Sequence, residues 1–275
     1  MQKLMLWSIF VVAVLTLAGC VKPESGPLQA GSESARRMIK LRGYNFDAQG
    51  FFAAAQASDA MALNAFFDAG INPNAQDPDG RTALISAAAR GDLNVVNVLL
   101  AHNVDINVKD QRGYTALSHA IEAMYEDVED ALLNRPELDP NCRGLNGRPA
   151  LNAYVWRYDN ERARKLLAHG ADVTAKDKDG DTALHGAAQN GEFGMLQLLL
   201  DKGADPNAKN NQGGTPLMWA AVYGHAGAVR FLLSRGADPR LKDNDGITAV
   251  EWAVRNKRDD VVAELRESPD AARHR

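Results

Sequence analysis

Apolar residues recur at helical spacing in two blocks over residues 180–207, GDTALHGAAQNGEFGMLQLLLDKGADPN. Gly180 marks a turn in which a positive φ is cheap for glycine alone, and Thr182 is placed to cap the helix that follows. Ala183, Leu184, Ala187 and Ala188 give this first helix a small-residue inner side, on which a neighbouring helix can come close. Gly191 breaks it. Phe193, Leu196, Leu199 and Leu200 then share one face of a second helix, which Gly203 ends before Ala204-Asp205-Pro206-Asn207 opens an extended turn. So short a unit cannot bury both faces of its helix pair, so the pattern predicts stacking on copies of itself.

Those copies are present. DPDGRTAL at 77–84, DQRGYTAL at 110–117, DKDGDTAL at 177–184, NNQGGTPL at 210–217 and DNDGITAV at 243–250 share a D/N-x-x-G-x-T-x-L frame. The frame glycines Gly80, Gly113, Gly147, Gly180, Gly213 and Gly246 are spaced by 33, 34, 33, 33 and 33 residues. A 33-residue period with this signature resembles the ankyrin repeat. The resemblance runs from about Asp47 to the C-terminal region. It implies an all-α solenoid of stacked helix-turn-helix units with β-hairpin-like turns, about seven units including caps. Residues 51–76 keep the helix pattern and the Gly70 stop without the Gly-x-Thr turn, as an N-terminal cap would, and RRMIKLRGYNF before them is expected to add a covering helical turn. Residues 247–268 carry charge where inner units are apolar, as a C-terminal cap would. The repeat domain is thus expected over 37–268, with a polar tail at 269–275.

Two neighbouring units depart from the frame. ALLNRPELDPN ends the unit from Gly113, with one extra residue and Pro136 at the helix stop; in the unit from Gly147, Pro149 replaces the threonine and YVWRYDNERARK the small-residue stretch. Such breaks in local rules mark either a functional site or drift. Ankyrin proteins bind through turn tips and the exposed side of the first helices. Carried over by frame position, the tips include Arg81, Arg112, Tyr114, Asn146, Arg148, Asp179, Asp181 and Gln212, and the late first-helix positions include Arg90, Glu122, Trp156, Arg157, Gln189, Asn190, Val222, Tyr223 and Asn256. Binding hot spots are rich in Trp, Tyr and Arg, so Tyr114, Arg148, Trp156, Arg157 and Tyr223 form the expected binding patch, with Arg81, Arg112, Gln189 and Asn190 around it. Trp156 and Tyr158 could equally fill space left by the irregular unit.

Charge adds little to this picture. The net charge is -4 without a Lys/Arg block, which argues against nucleic acid as a partner. Glu122, Glu126, Asp127, Glu129 and Asp130 fall opposite Arg157, Arg162, Arg164 and Lys165 of the next unit, where ordinary inter-unit ion pairs are expected. The six histidines form no metal or catalytic pattern, and the family assigns His185 a turn-supporting role. No nucleophile elbow, phosphate loop, zinc-protease motif or C-x-x-C is found, so no enzyme, cofactor, metal or small-molecule substrate is expected.

The first nineteen residues read separately. Lys3 precedes a nearly continuous apolar run from Leu4 to Leu17, too short for a usual spanning helix and closed by small residues, which is the pattern of a cleaved signal peptide. Leu17-Ala18-Gly19-Cys20 resembles the bacterial lipobox, which implies lipidation of Cys20 with acyl chains such as palmitate. By analogy with Gram-negative lipoproteins, Val21 after the cysteine implies transfer to the outer membrane, facing the periplasm. Residues 20–36 are expected to form the lipidated cysteine and a flexible linker; its Pro-, Gly- and Ser-rich part would span about 20 Å. Cys142 is then the remaining thiol, expected to be a small hydrophobe. Together these readings predict a monomeric, membrane-anchored periplasmic scaffold that binds a protein partner through its concave face. An immunity or inhibitor protein against an envelope toxin or hydrolase, or an accessory protein in oxidative-stress protection, are the alternatives.

Overall fold

The computed structural model describes residues 27–144 and 147–267, with side chains from residue 32 onward. The apolar N-terminal segment, Cys20, Asn146 and the 269–275 tail lie outside the described residues. Helix α1 (Pro27–Leu41) leads into seven helix pairs. These are α2 (Ala48–Gln56) with α3 (Ala60–Asp68), α4 (Ala83–Arg90) with α5 (Leu93–Leu100), α6 (Ala116–Ala123) with α7 (Glu126–Leu133), and α8 (Ala150–Trp156) with α9 (Asn160–Ala168). They continue as α10 (Ala183–Asn190) with α11 (Phe193–Asp201), α12 (Pro216–Tyr223) with α13 (Ala226–Ser234), and α14 (Ala249–Arg255) with α15 (Asp259–Glu267). First helices pack on first helices and second on second, giving two parallel columns joined by projecting turns.

Five of the turns are built the same way, the one before α8 having Gly144 at the accepting position. Asp77 Oδ1 accepts from the N–H groups of Asp79 and Arg81, and the Asp77 N–H donates to the Arg81 carbonyl at 2.9 Å; Asp110, Asp177, Asn210 and Asp243 repeat the arrangement. The following threonine caps the helix: Thr82 Oγ1 accepts from Ile85 N–H at 3.2 Å and Thr115 Oγ1 from Ser118 N–H at 3.2 Å. Adjacent tips are tied by backbone, as Asn211 N–H to the Asp179 carbonyl at 3.0 Å.

His185 supports its turn as the family resemblance implies. Thr182 N–H donates to Nδ1 at 3.2 Å, so the proton sits on Nε2, which donates to the Gly214 carbonyl at 3.2 Å. Burial lowers its pKa to about 4 and keeps the ring neutral. The same frame position does this job with other chemistry elsewhere: Ser118 Oγ donates to the Arg143 carbonyl and Asn152 Nδ2 to the Asp181 carbonyl, at 2.9 and 2.8 Å.

Between paired helices the chain must turn through the left-handed region. Gly191 does so at φ 69°, and a Cβ there would lie 2.6 Å from the His225 ring. Met124 and Tyr158 hold the equivalent positions of the two irregular units at φ 58° and 61°, with side chains exposed.

Three local expectations change. Helix α1 begins at Pro27, so the second half of the expected linker is helical: Ala35 and Ile39 are buried, and their packing favours the helix despite the Gly/Ser content upstream. Phe193 lies outside the apolar face of α11, 54% exposed against Phe231 of the next unit, because it opens the helix; Met195 takes the buried place beside Leu196, Leu199 and Leu200. Cys142, expected as a small, partly buried hydrophobe, is buried at 2% exposure, and burial pushes its thiol up to about 11.

The acidic and basic stretches meet across α7 and α9. Arg162 pairs with Asp130 at 2.8 Å and Lys165 with Asp130 at 2.9 Å, while the wholly buried Glu129 lies 3.6 Å from Arg157 and 3.7 Å from Arg162. Burial raises the Glu129 pKa, and the two guanidiniums offset part of that cost.

Candidate interaction surface

The first-helix column carries the candidate surface. Trp156 ends α8, and Trp219 and Tyr223 project from α12, two units further on. The helix between them, α10, carries Gly186 at the frame position of Trp219, and a Cβ there would stand 3.0 Å from Trp156 Nε1. Lacking one, α10 lets Trp156 lie across its backbone and meet Trp219 edge to face, with ring centroids 5.8 Å apart and planes at 88°. Trp219 in turn stacks on Tyr223 at 6.0 Å and 16°. Tyr223 is 44% exposed; Trp156 and Trp219 are half-buried. Trp156 thus both packs and leads into an accessible aromatic run.

A second group forms around the turn before α6. Tyr114 meets His119 edge to face at 5.7 Å, and the Arg112 guanidinium lies 5.0 Å from the Tyr114 ring centroid. His119 Nε2 contacts Asp110 Oδ2 at 2.9 Å. Burial alone would raise the Asp110 pKa. The Tyr114 N–H, His119 and the Arg112 N–H together outweigh it and keep the carboxyl below its usual range. Arg81 and Arg112 line a shallow concavity with Asp79, Asp110 and Gln111. Arg148 is exposed. Among the described residues no ring contact joins the Tyr114 group to the Trp156 run, so the structure divides the expected patch into two.

Arg157 and Asn190 have other work. Arg157 Nη1 donates to the Ile121 carbonyl at 3.2 Å, and Asn190 Nδ2 to the Val155 carbonyl at 2.8 Å. Arg90 reaches the Ala55 carbonyl at 3.0 Å, Arg258 Nε the Val222 carbonyl at 3.1 Å, and His225 Nε2 the Gln189 carbonyl at 2.7 Å. Each closes the open C-terminal carbonyls of the preceding first helix. Gln189 is half-buried at one of these joints.

Trp219 was missing from the sequence-derived set, although its signal is visible: the same position holds Ser86, His119, Ala153 and Gly186 in earlier units and turns to Trp219 and Trp252 in the last two. His102 stacks on Phe67 at 3.8 Å, and His169 contacts the Leu133 carbonyl at 2.8 Å, so these histidines too serve joints between units.

A family model described as ankyrin repeats (3 copies) matches residues 51–144, 131–210, 149–243 and 208–273. The chain belongs to the ankyrin-repeat family. An ankyrin repeat-containing protein of Treponema pallidum (strain Nichols) is 33% identical over 164 residues, 59% of this chain and 55% of that protein. An L-asparaginase of Dirofilaria immitis is 32% identical over 138 residues, 50% of this chain and 23% of that one, so the chain spans about half or less of these relatives. Among solved structures, an ankyrin repeat domain from Acinetobacter baumannii AYE superposes with a TM-score of 0.59 and 29% identity, covering 66% of this chain and 95% of that one. The ankyrin repeat domain of Bcl-3, of the IkappaB family, gives a TM-score of 0.62 and 31% identity over 78% and 97%. Ankyrin repeats mediate protein–protein contact and are typically non-catalytic binding scaffolds.

Proposed function

We propose that this protein is a lipid-anchored periplasmic ankyrin-repeat scaffold, acting as a monomer, that holds a protein partner on its concave face. The observation that carries the binding half is the Trp156–Trp219–Tyr223 run, a set of large rings left accessible on the column of first helices. The anchoring half rests on the apolar N-terminal run and Leu17-Ala18-Gly19-Cys20, with attachment to the outer membrane favoured by Val21. The reading assigns no catalytic residue: the described histidines are engaged in turns and unit joints, and the Cys142 thiol is buried.

Cross-linking of the full chain in the cell envelope tests the binding half. A discrete partner is expected with wild type and is lost in Trp219→Ala/Tyr223→Ala at unchanged helical circular dichroism; no partner at native expression counts against the scaffold. For the anchor, tritiated palmitate labels wild type and not Cys20→Ala, and a labelled variant would remove the localisation.

A further inference from the structure

One hollow between the first helices and the turns of the last three units has a distinctive chemistry. A concavity of about 470 Å³ is lined by the rings of Trp219, Tyr223 and Trp252 and by Asp179, Asp181 and Asp243 from the neighbouring turns. The two tryptophans come from the same frame position of successive units, and the three aspartates from three turn positions.

The carboxylates are set in place. Asp243 Oδ2 accepts from the Trp252 indole Nε1–H at 2.8 Å, and its Oδ1 from the N–H groups of Ile247 and Asp245 at 2.9 and 3.0 Å. Asp181 is only 6% exposed; its Oδ1 accepts from Asn210 Nδ2 at 2.9 Å, and its Oδ2 takes no hydrogen bond among the described residues. Asp179 stands exposed at the tip. The chain's own cations do not fill the hollow. Arg255 rests over Trp252 at 5.6 Å but lines a different concavity, with Val250 and Val254.

Resting on the reading of this chain as a protein-binding array, we infer that this hollow receives the cationic side chain, arginine or lysine, of the partner. Aromatic faces attract a cation through the ring quadrupole and accept its alkyl stem, while three carboxylates make the hollow electronegative. Arg148 acts on Asp181 from outside this lining, so a neutral side chain would leave the desolvated carboxylate with no cation inside the hollow. The partner thus presents a projecting basic residue to the last three units.

The test uses the mature protein labelled with 5-fluorotryptophan, in which Trp156, Trp219 and Trp252 give separate fluorine signals, Trp7 leaving with the proposed signal peptide. The probes are acetyl-Gly-Arg-Gly-amide, its lysine and citrulline counterparts, and tetramethylammonium chloride. A saturable shift of the Trp219 and Trp252 signals is expected with the arginine or lysine peptide, at least roughly fivefold weaker with uncharged citrulline. Asp179→Asn weakens it severalfold without touching the backbone bond that ties this tip to Asn211. Asp181→Asn does the same from inside. Equal response to citrulline overturns the inference, as does no response, or saturation by tetramethylammonium alone, which would mark a small quaternary-ammonium site. If the peptides fail while envelope cross-linking still recovers a partner lost in Trp219→Ala/Tyr223→Ala, the scaffold stands and the cation does not; loss of both removes the scaffold as well.

Discussion

Asp181→Asn separates what a residue does for folding from what it does for binding. The aspartate is buried, and burial raises its pKa from 3.8 to about 6, with Asp177 and Asp179 adding to the rise and the Asn210 hydrogen bond and the Arg148 charge offsetting part of it. A carboxyl with a folded pKa above its unfolded value holds its proton more tightly when folded. Its contribution to stability is therefore fully present below the unfolded pKa of 3.8 and lost as pH rises through about 6. A shift of about two units corresponds to about 3 kcal/mol, the cost wild type carries at about pH 7.5. Asparagine keeps an oxygen for Asn210 Nδ2 and carries no charge. Urea unfolding followed by circular dichroism should place the variant about 2–3 kcal/mol above wild type at about pH 7.5 and about 1 kcal/mol above it at about pH 4.5. An equal offset at both pH values, or a less stable variant, refutes the assignment of the cost to ionisation. A stabilised variant that has lost cation binding is the result expected of a residue kept for recognition.

Two further predictions concern the backbone and the buried thiol. Tyr158→Gly relieves a left-handed tyrosine and should stabilise the chain by about 1 kcal/mol in urea unfolding, whereas Gly191→Ala should destabilise it by about 1–3 kcal/mol through its clash with His225; the opposite signs would show that neighbouring units absorb the strain. In the Cys20→Ala protein, Cys142 should react with a disulfide reagent far more slowly when folded than in denaturant, since its thiol is buried and pushed up to about 11. Equal rates would mean that the turn before α8 opens readily.

The repeat was legible because its markers are local. A glycine at positive φ and a threonine N-cap act within a few residues, so each unit declares itself without reference to the others. The start of α1 was not legible, because Pro27 to Ser34 has a linker's composition and is helical in continuity with the segment whose Ala35 and Ile39 dock on the first unit. Arg157 and Asn190 were read as surface residues because their partners, the Ile121 and Val155 carbonyls, lie about one repeat back. Asking what closes the last carbonyls of each first helix would have found them. Trp219 escaped because a tryptophan amid apolar residues reads as core; only comparison along its frame position, where Gly186 stands one unit earlier, shows that it meets Trp156 instead.

The joints made by Arg90, Arg157, Asn190 and Arg258 all point the same way, each later unit sealing the one before it. The array therefore has a polarity beyond that of its chain. As the chain emerges from a ribosome, a later unit closes the first-helix carbonyls of the unit before it, while the turn carbonyls of a later unit take their donors from the unit already made, as Gly214 does from His185. Peeling from the C-terminal end exposes one unsealed helix at a time. Pulling from the N-terminal end leaves the first-helix carbonyls of the remaining units sealed, but takes donors such as Ser118, Asn152 and His185 away from the turn carbonyls of the units that follow.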